Sequence, residues 1–238
     1  MSSSPKSPYQ PFLLRFLHSS IALFVIGSIL TAFWTYDTYD GRWGGLPLSK
    51  WSNMEGIHGT FGLWSLLAFP IFVFYALHRG QRRLIQSSFV SDLNKIGKPI
   101  WWYNLHRFTN TLALFGLTFA LFSGKMMDET WLPQGELNHS WYYAHLISWV
   151  ILVIAIALHS LMGVKVGGKA LLISMFNWRF RSKDSPFLWG TKVKTWIQEK
   201  QMMTDIKQEW RKLSLHLKAI EIFIFASLIT AWILPLFK

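Results

Sequence analysis

Apolar positions gather into five stretches, at about 12–34, 55–78, 100–127, 141–163 and 219–237. A bilayer-spanning helix needs about 20 such residues, and all five approach or exceed that length. The pattern predicts an all-α membrane protein: a four-helix transmembrane bundle over 1–170, a basic amphipathic segment over 171–217, and a fifth transmembrane helix over 218–238. The first stretch is too long for a signal-peptide core and lacks a small-residue cleavage site, so it is read as a helix. A short polar tail, residues 1–10, precedes it.

The polar positions between the stretches are informative too. Residues 35–56 are rich in Gly, Pro and aromatics, as expected of a loop at the membrane interface. The next loop carries Arg79, Arg82, Arg83, Lys95 and Lys98 against one acid, Asp92. The loop before the fourth helix holds Asp128, Glu129 and Glu136, and residues 164–212 are strongly basic. The positive-inside rule then places the N-terminus and the basic segments in the cytoplasm. Within the basic segment, Trp196, Met203, Ile206, Trp210, Leu213 and Leu217 recur mostly at three or four residues. That spacing predicts an amphipathic helix on the lipid surface, on its own bundle, or against a redox partner or complex subunit.

Composition agrees. Charged residues are 15% of the chain, below the roughly 25% of soluble domains. The net charge of +12 flanks apolar segments and comes with no nucleic-acid motif, so no nucleic-acid partner is expected. Cysteine is absent, which excludes disulfides, iron–sulfur ligation and covalent haem attachment through Cys-x-x-Cys-His.

The candidate chemistry lies in the histidines. His145 and His159 sit fourteen residues apart in the fourth stretch. At about 100° and about 1.5 Å per residue, they fall within about 40° of one face and about 21 Å apart. The predicted topology matches His18 in depth with His159, and His58 with His145. Buried ionisable groups in lipid are costly and usually serve function. Two facing helices with one imidazole each can ligate a haem iron. Zinc would usually want carboxylate or thiolate ligands as well, and the deep parts of the first four helices have none.

Other residues keep more than one reading. His78, about 200° round the second helix from His58, is interfacial. His106, at the start of the third helix, is a neighbour of the inner site or a rival ligand. Gly59, Gly62, Ala155 and Gly163 are small enough to admit a porphyrin face, or simply let helices pack closely. Arg15, Arg79 and Arg107 on the inner side, and Arg42, Lys50 and Lys125 on the outer, are propionate contacts or topology-setting charges.

The order of these features resembles the prokaryotic cytochrome b561 family and the b-type cytochrome subunits of nickel–iron hydrogenases and formate dehydrogenases. The likeness covers about 12–169 and rests on RFLHSSIAL, GIHGTFGLW, LHRFTNTLALFGLTFALFSG and AHLISWVILVIAIALHSLMG. It implies two b haems with His18, His58, His145 and His159 as axial ligands to iron. His106 occupies a family position that is not an axial ligand. The family commonly has an aromatic residue after the first of these histidines, where this chain has Ser19. The resemblance also implies a quinone or quinol partner in the membrane lipid. Three roles follow as expectations: electron carriage between a donor and the quinone pool, superoxide:quinone oxidoreduction at the outer face, or membrane anchorage of a larger complex.

Overall fold

The computed structural model describes residues 9–127, 136–198 and 202–237. Most of the polar tail, Asp128 and Glu129 of the acidic loop, and the side chains of Trp196 and Met203 lie outside the described residues. Among those described, all regular structure is helical: α1 (Phe12–Tyr39), α2 (Met54–His78), α3 (Phe89–Leu93), α4 (Pro99–Met126), α5 (Ser140–Phe176), α6 (Trp189–Gln198), α7 (Met202–Lys212) and α8 (Leu215–Ile233). Short 3₁₀ turns complete the order. The protein is an all-α membrane protein, as the apolar pattern predicts. Four helical segments are long and apolar enough to cross a membrane: Phe12–Tyr39, Met54–His78, Ser140–Phe176 and Leu215–Phe237.

The helix boundaries have local causes. α1 stops where Gly41 adopts φ +63° and its N–H reaches back to the Tyr36 carbonyl at 3.0 Å. Only glycine takes that left-handed conformation cheaply, which is why it closes helices. α4 opens on Pro99, whose missing N–H would have no partner in a first turn anyway. α5 runs further than the apolar pattern suggests. It bends at Gly168 (φ +59°) and continues to Phe176, past the lysines at 165 and 169.

α4 has 28 residues, yet it is not among the four segments apolar enough to span by composition. The reason is a buried polar face: Asn104, Thr109, Thr111, Thr118 and Ser123 are each at most 5% exposed. Its hydroxyls are satisfied inside the helix, with Thr118 donating to the Leu114 carbonyl at 2.8 Å and Ser123 to Phe119 at 2.7 Å. Such a helix loses hydropathy without exposing polar groups to lipid.

The chain forms two compact units. The first takes the described part of Met1–Ser19, with Ile71–Asn110 and His159–Glu221. The second takes Ser20–Pro70, Thr111–Leu158 and the described part of Ile222–Lys238. In the first, the start of α1 is a packing centre: Phe12 meets the rings of Trp178, Phe180 and Trp189 at 5.2–5.8 Å. Asp184 accepts hydrogen bonds from the Phe12 N–H and the Tyr9 hydroxyl, tying the segment after α5 to that start.

The single amphipathic helix read across 196–217 divides between α6, α7 and the first turn of α8. Leu213 and Leu217, at the end of that periodicity, are buried, whereas Trp210 is 39% exposed. α8 then buries Leu217, Ile220, Ile224, Leu228 and Ala231, spaced three or four apart. Lipid is as apolar as these side chains. Close packing and polar contacts therefore hold such a helix, not hydrophobic burial. Phe223 packs on Phe115 at 5.5 Å, and Lys125 lies over Trp232 at 5.4 Å.

The polar contact is His78 on α2 with Glu221 on α8, Nε2 to Oε1 at 2.8 Å, both buried. The sequence places His78 at an interface with lipid headgroups. The structure instead stacks its ring on Phe74 at 4.3 Å and gives it this carboxylate partner.

Asp92, the one acid of the basic loop, is 5% exposed and accepts from Lys95 at 2.6 Å and Asn104 at 2.9 Å. Hydrogen bonds from Lys95, Asn104 and Ser88 hold its carboxyl down at about 2. A depressed folded-state pKa favours the fold above the unfolded value of about 4 and loses that contribution as pH falls toward 2. The thermal midpoint should therefore drop more between pH 5 and pH 2.5 in the parent chain than in Asp92→Asn. Equal drops would show that Asp92 contributes nothing.

Candidate functional site

Four of the predicted histidines meet in pairs, each pair inside one unit. In the second unit, His58 on α2 and His145 on α5 have ring centroids 5.9 Å apart. In the first, His18 on α1 and His159 on α5 are 6.1 Å apart. Two imidazoles trans to one metal have ring centres about 6 Å apart, given metal–nitrogen bonds of about 2 Å and a nitrogen about 1.1 Å from its ring centre. Both pairs have that spacing.

His106 on α4 stands in the same relation to His159, at 6.0 Å. The first unit thus gathers three imidazoles where the depth argument chose two. His78 is held by Glu221, His139 accepts from the Trp141 N–H at 3.3 Å, and His216 Nε2 lies 3.1 Å from the Ile85 carbonyl. Among the described residues, no cluster of three or more His, Cys, Asp or Glu is arranged for a bare metal ion.

Hydrogen bonds fix which ring nitrogen faces a ligand. His58 Nδ1 lies 3.1 Å from the Ser28 carbonyl, an acceptor only, so Nδ1 carries the proton and Nε2 the lone pair. Thr31 adds a contact at 3.2 Å. His159 Nδ1 donates to Asn110 Oδ1 at 2.7 Å, with the same result. His145 Nδ1 lies 3.1 Å from Ser123 Oγ, itself 3.3 Å from Ser148 Oγ. Metal-ligating histidines typically engage the second ring nitrogen in this way.

Space surrounds the His58–His145 pair. A cavity of about 520 Å³ is lined by both rings and by Gly56, Gly59, Gly62 and Lys125. A second, of about 440 Å³, is lined by the same two rings with Tyr36, Trp43 and Tyr143. A Cβ at Gly56, Gly59 or Gly62 would meet no atom within 4 Å. At Gly124 it would come within 3.0 Å of His145 Cε1, so there the glycine makes room for the imidazole. Ser28 Oγ, Ser65 Oγ and Glu55 Oε2 in residues of the first cavity, and Thr35 Oγ1 of the second, are buried without a hydrogen-bond partner. Orphaned buried polar atoms beside an apolar slot fit a large, mostly apolar ligand with polar substituents.

The predicted cations divide. Arg15 is 3% exposed, donates to the Arg179 carbonyl at 2.8 Å and packs on the Tyr9 and Phe12 rings. Its buried Nε has no partner. Arg107 is directed at the loop, donating to the Arg82 carbonyl at 2.9 Å and to Asn104 Oδ1 at 3.2 Å. Arg42 is engaged by Asp40 and donates to the Leu137 carbonyl and Asn138. Burial pushes the Asp40 carboxyl up, but hydrogen bonds from Arg42 and Tyr142 outweigh it and hold the group below the usual range.

Two residues escape the sequence reading. Arg83 donates to Gln10 at 2.5 Å, and its carbonyl accepts from Asn110 Nδ2 at 2.7 Å. Asn110, one turn beyond His106, orients His159. A signal for Asn110 existed in its helical spacing; nothing in RGQRR distinguishes Arg83 from its neighbours.

Comparison with curated proteins and with solved structures gives no match. A family model does match, over residues 9–178, the span that carries all four paired histidines. The chain belongs to the prokaryotic cytochrome b561 family, and is a membrane electron-transfer protein of b-haem type.

Proposed function

We propose that the chain is a di-haem cytochrome b that carries electrons between a donor and the quinone pool across the prokaryotic plasma membrane. The observation that carries this reading is the pair of histidine pairs at 5.9 and 6.1 Å, with α5 supplying one ring to each. His58 and His145 would hold one iron, and His18 and His159 the other. The family likeness favours His18 over the equidistant His106, which lies beside the site. The positive-inside rule puts the N-terminus and the His18 site on the cytoplasmic side.

A bound b haem supplies one-electron ferric–ferrous chemistry. The chain does the rest. Each histidine pair would hold a haem iron between two imidazoles, an arrangement suited to electron transfer and not to substrate binding at iron. The Ser28 carbonyl and Asn110 fix ring orientation and tautomer, and Ser123 orients the His145 ring. The glycine-lined cavity would hold the porphyrin, and Lys125 in its lining would supply a cation for a propionate. Arg15, one turn before His18, would be the corresponding cation of the other site. The engaged state of Arg42 weakens the case for an anion-attracting outer face. The exposed Phe187, Val193 and Ile197 beside Lys192 and Lys194 support docking of a redox partner or complex subunit on the basic segment.

Stopped-flow mixing of the oxidised, haem-loaded protein with a short-chain quinol tests the partner. Haem reduction that saturates with quinol concentration is expected. Reduction no faster than that of free haem in the same detergent would overturn the quinone assignment.

A further inference from the structure

The contact that remains unexplained by packing alone joins α4 to α5 in the first unit. His159 Nδ1 donates to Asn110 Oδ1 at 2.7 Å. The Asn110 amide then donates from Nδ2 to the Arg83 carbonyl at 2.7 Å. That second bond fixes the amide orientation, because a carbonyl accepts only from the NH₂ side, and so Oδ1 faces the imidazole. Arg83 is itself anchored, through its guanidinium, to Gln10. A chain of hydrogen bonds therefore runs from the turn after α2 to one ring of the His18–His159 pair. His145 has a different partner, the hydroxyl of Ser123, and His58 a backbone carbonyl.

We infer that Asn110 is a positioning residue that sets the tautomer and basicity of His159 and, through it, the potential of the haem in the first unit. This rests on the ligand assignment proposed above. An acceptor on Nδ1–H makes the imidazole a stronger electron donor, and partners of this kind typically change metal affinity 10–100-fold when mutated. A stronger donor favours ferric iron and lowers the potential. Removing the acceptor should raise the potential, and replacing it with a carboxylate should lower it.

The test is redox titration of the haem-loaded full chain, with Asn110→Leu and Asn110→Asp beside the parent and a His159→Ala control. The haem lost in the control identifies the one to follow. Asn110→Leu is expected to raise the midpoint of that haem, and Asn110→Asp to lower it. Each shift should approach a tenfold change in the ferric-to-ferrous preference, about 59 mV for one electron. The other haem should stay at its parent value. Loss of the followed haem in Asn110→Leu, with retention at a lowered midpoint in Asn110→Asp, would also support the inference. Parent midpoints in both variants, shifts of one sign, haem loss in both, or equal movement of both haems would overturn it. If His159→Ala keeps both haems, the ligand assignment itself is wrong and the inference falls with it. Parent midpoints in both variants beside a clean loss in His159→Ala would sink the inference alone.

Discussion

His145→Ala should leave the purified chain with one b haem instead of two. The His58–His145 pair is the simpler of the two, with two facing rings, a proton directed to Nδ1 of His58, and two cavities lined by both rings. Among the described residues, neither cavity has an imidazole in its lining besides His58 and His145, so none can take the place of His145. His159→Ala should have the same effect on the other haem. There the residue it faces is the sharper question, because His18 and His106 lie at 6.1 and 6.0 Å from it. The proposal predicts that His18→Ala abolishes low-spin haem in that unit and that His106→Ala keeps it with a shifted potential. The reverse outcome would make His106 the ligand and His18 the neighbour. Pyridine haemochrome content, with low-temperature spectra of the α bands, separates these cases.

The second large effect is on stability. Glu221→Leu removes the partner of a buried imidazole, and His78 Nδ1 has no other hydrogen bond to offset the loss. Breaking such a pair costs about 3 kcal/mol. Replacing both members with well-packed apolar groups, as in His78→Phe with Glu221→Leu, should recover most of that. Such substitutions are often neutral or better. Unfolding midpoints of the three chains in one detergent check this. A single variant as stable as the parent would mean that α8 is held by its apolar face alone, Leu217 through Ala231.

Much of this was readable from the chain because lipid imposes a strong rule: apolar runs of spanning length become helices. All five stretches are helical, and the family is legible in four short motifs. The failures have physical reasons. α5 overran its expected end because hydropathy falls at the lysines while the backbone remains helical as far as the bend at Gly168. Periodicity over 196–217 detected an apolar face but not the breaks between three helices. It has no means of seeing that Leu213 and Leu217 face protein, while Trp210 remains partly open.

The site shows the same limit. Helical spacing brought His145 and His159 to one face, and depth matched them to partners. Depth alone cannot separate His18 from His106, since a pairing depends on the rotation of α1 and α4 about their own axes. Arg107 and Arg83 exchange expectations for a similar reason. The first turns toward the Arg82 carbonyl, and the carbonyl of the second holds the Asn110 amide that faces His159.

The measurement that tests the central claim most directly is the haem-to-protein ratio of the full chain, made with ample haem supply. It is taken from a reduced-minus-oxidised spectrum with pyridine haemochrome quantification. Two low-spin b haems per chain is the predicted result. One haem would contradict one histidine pair, and none would contradict both.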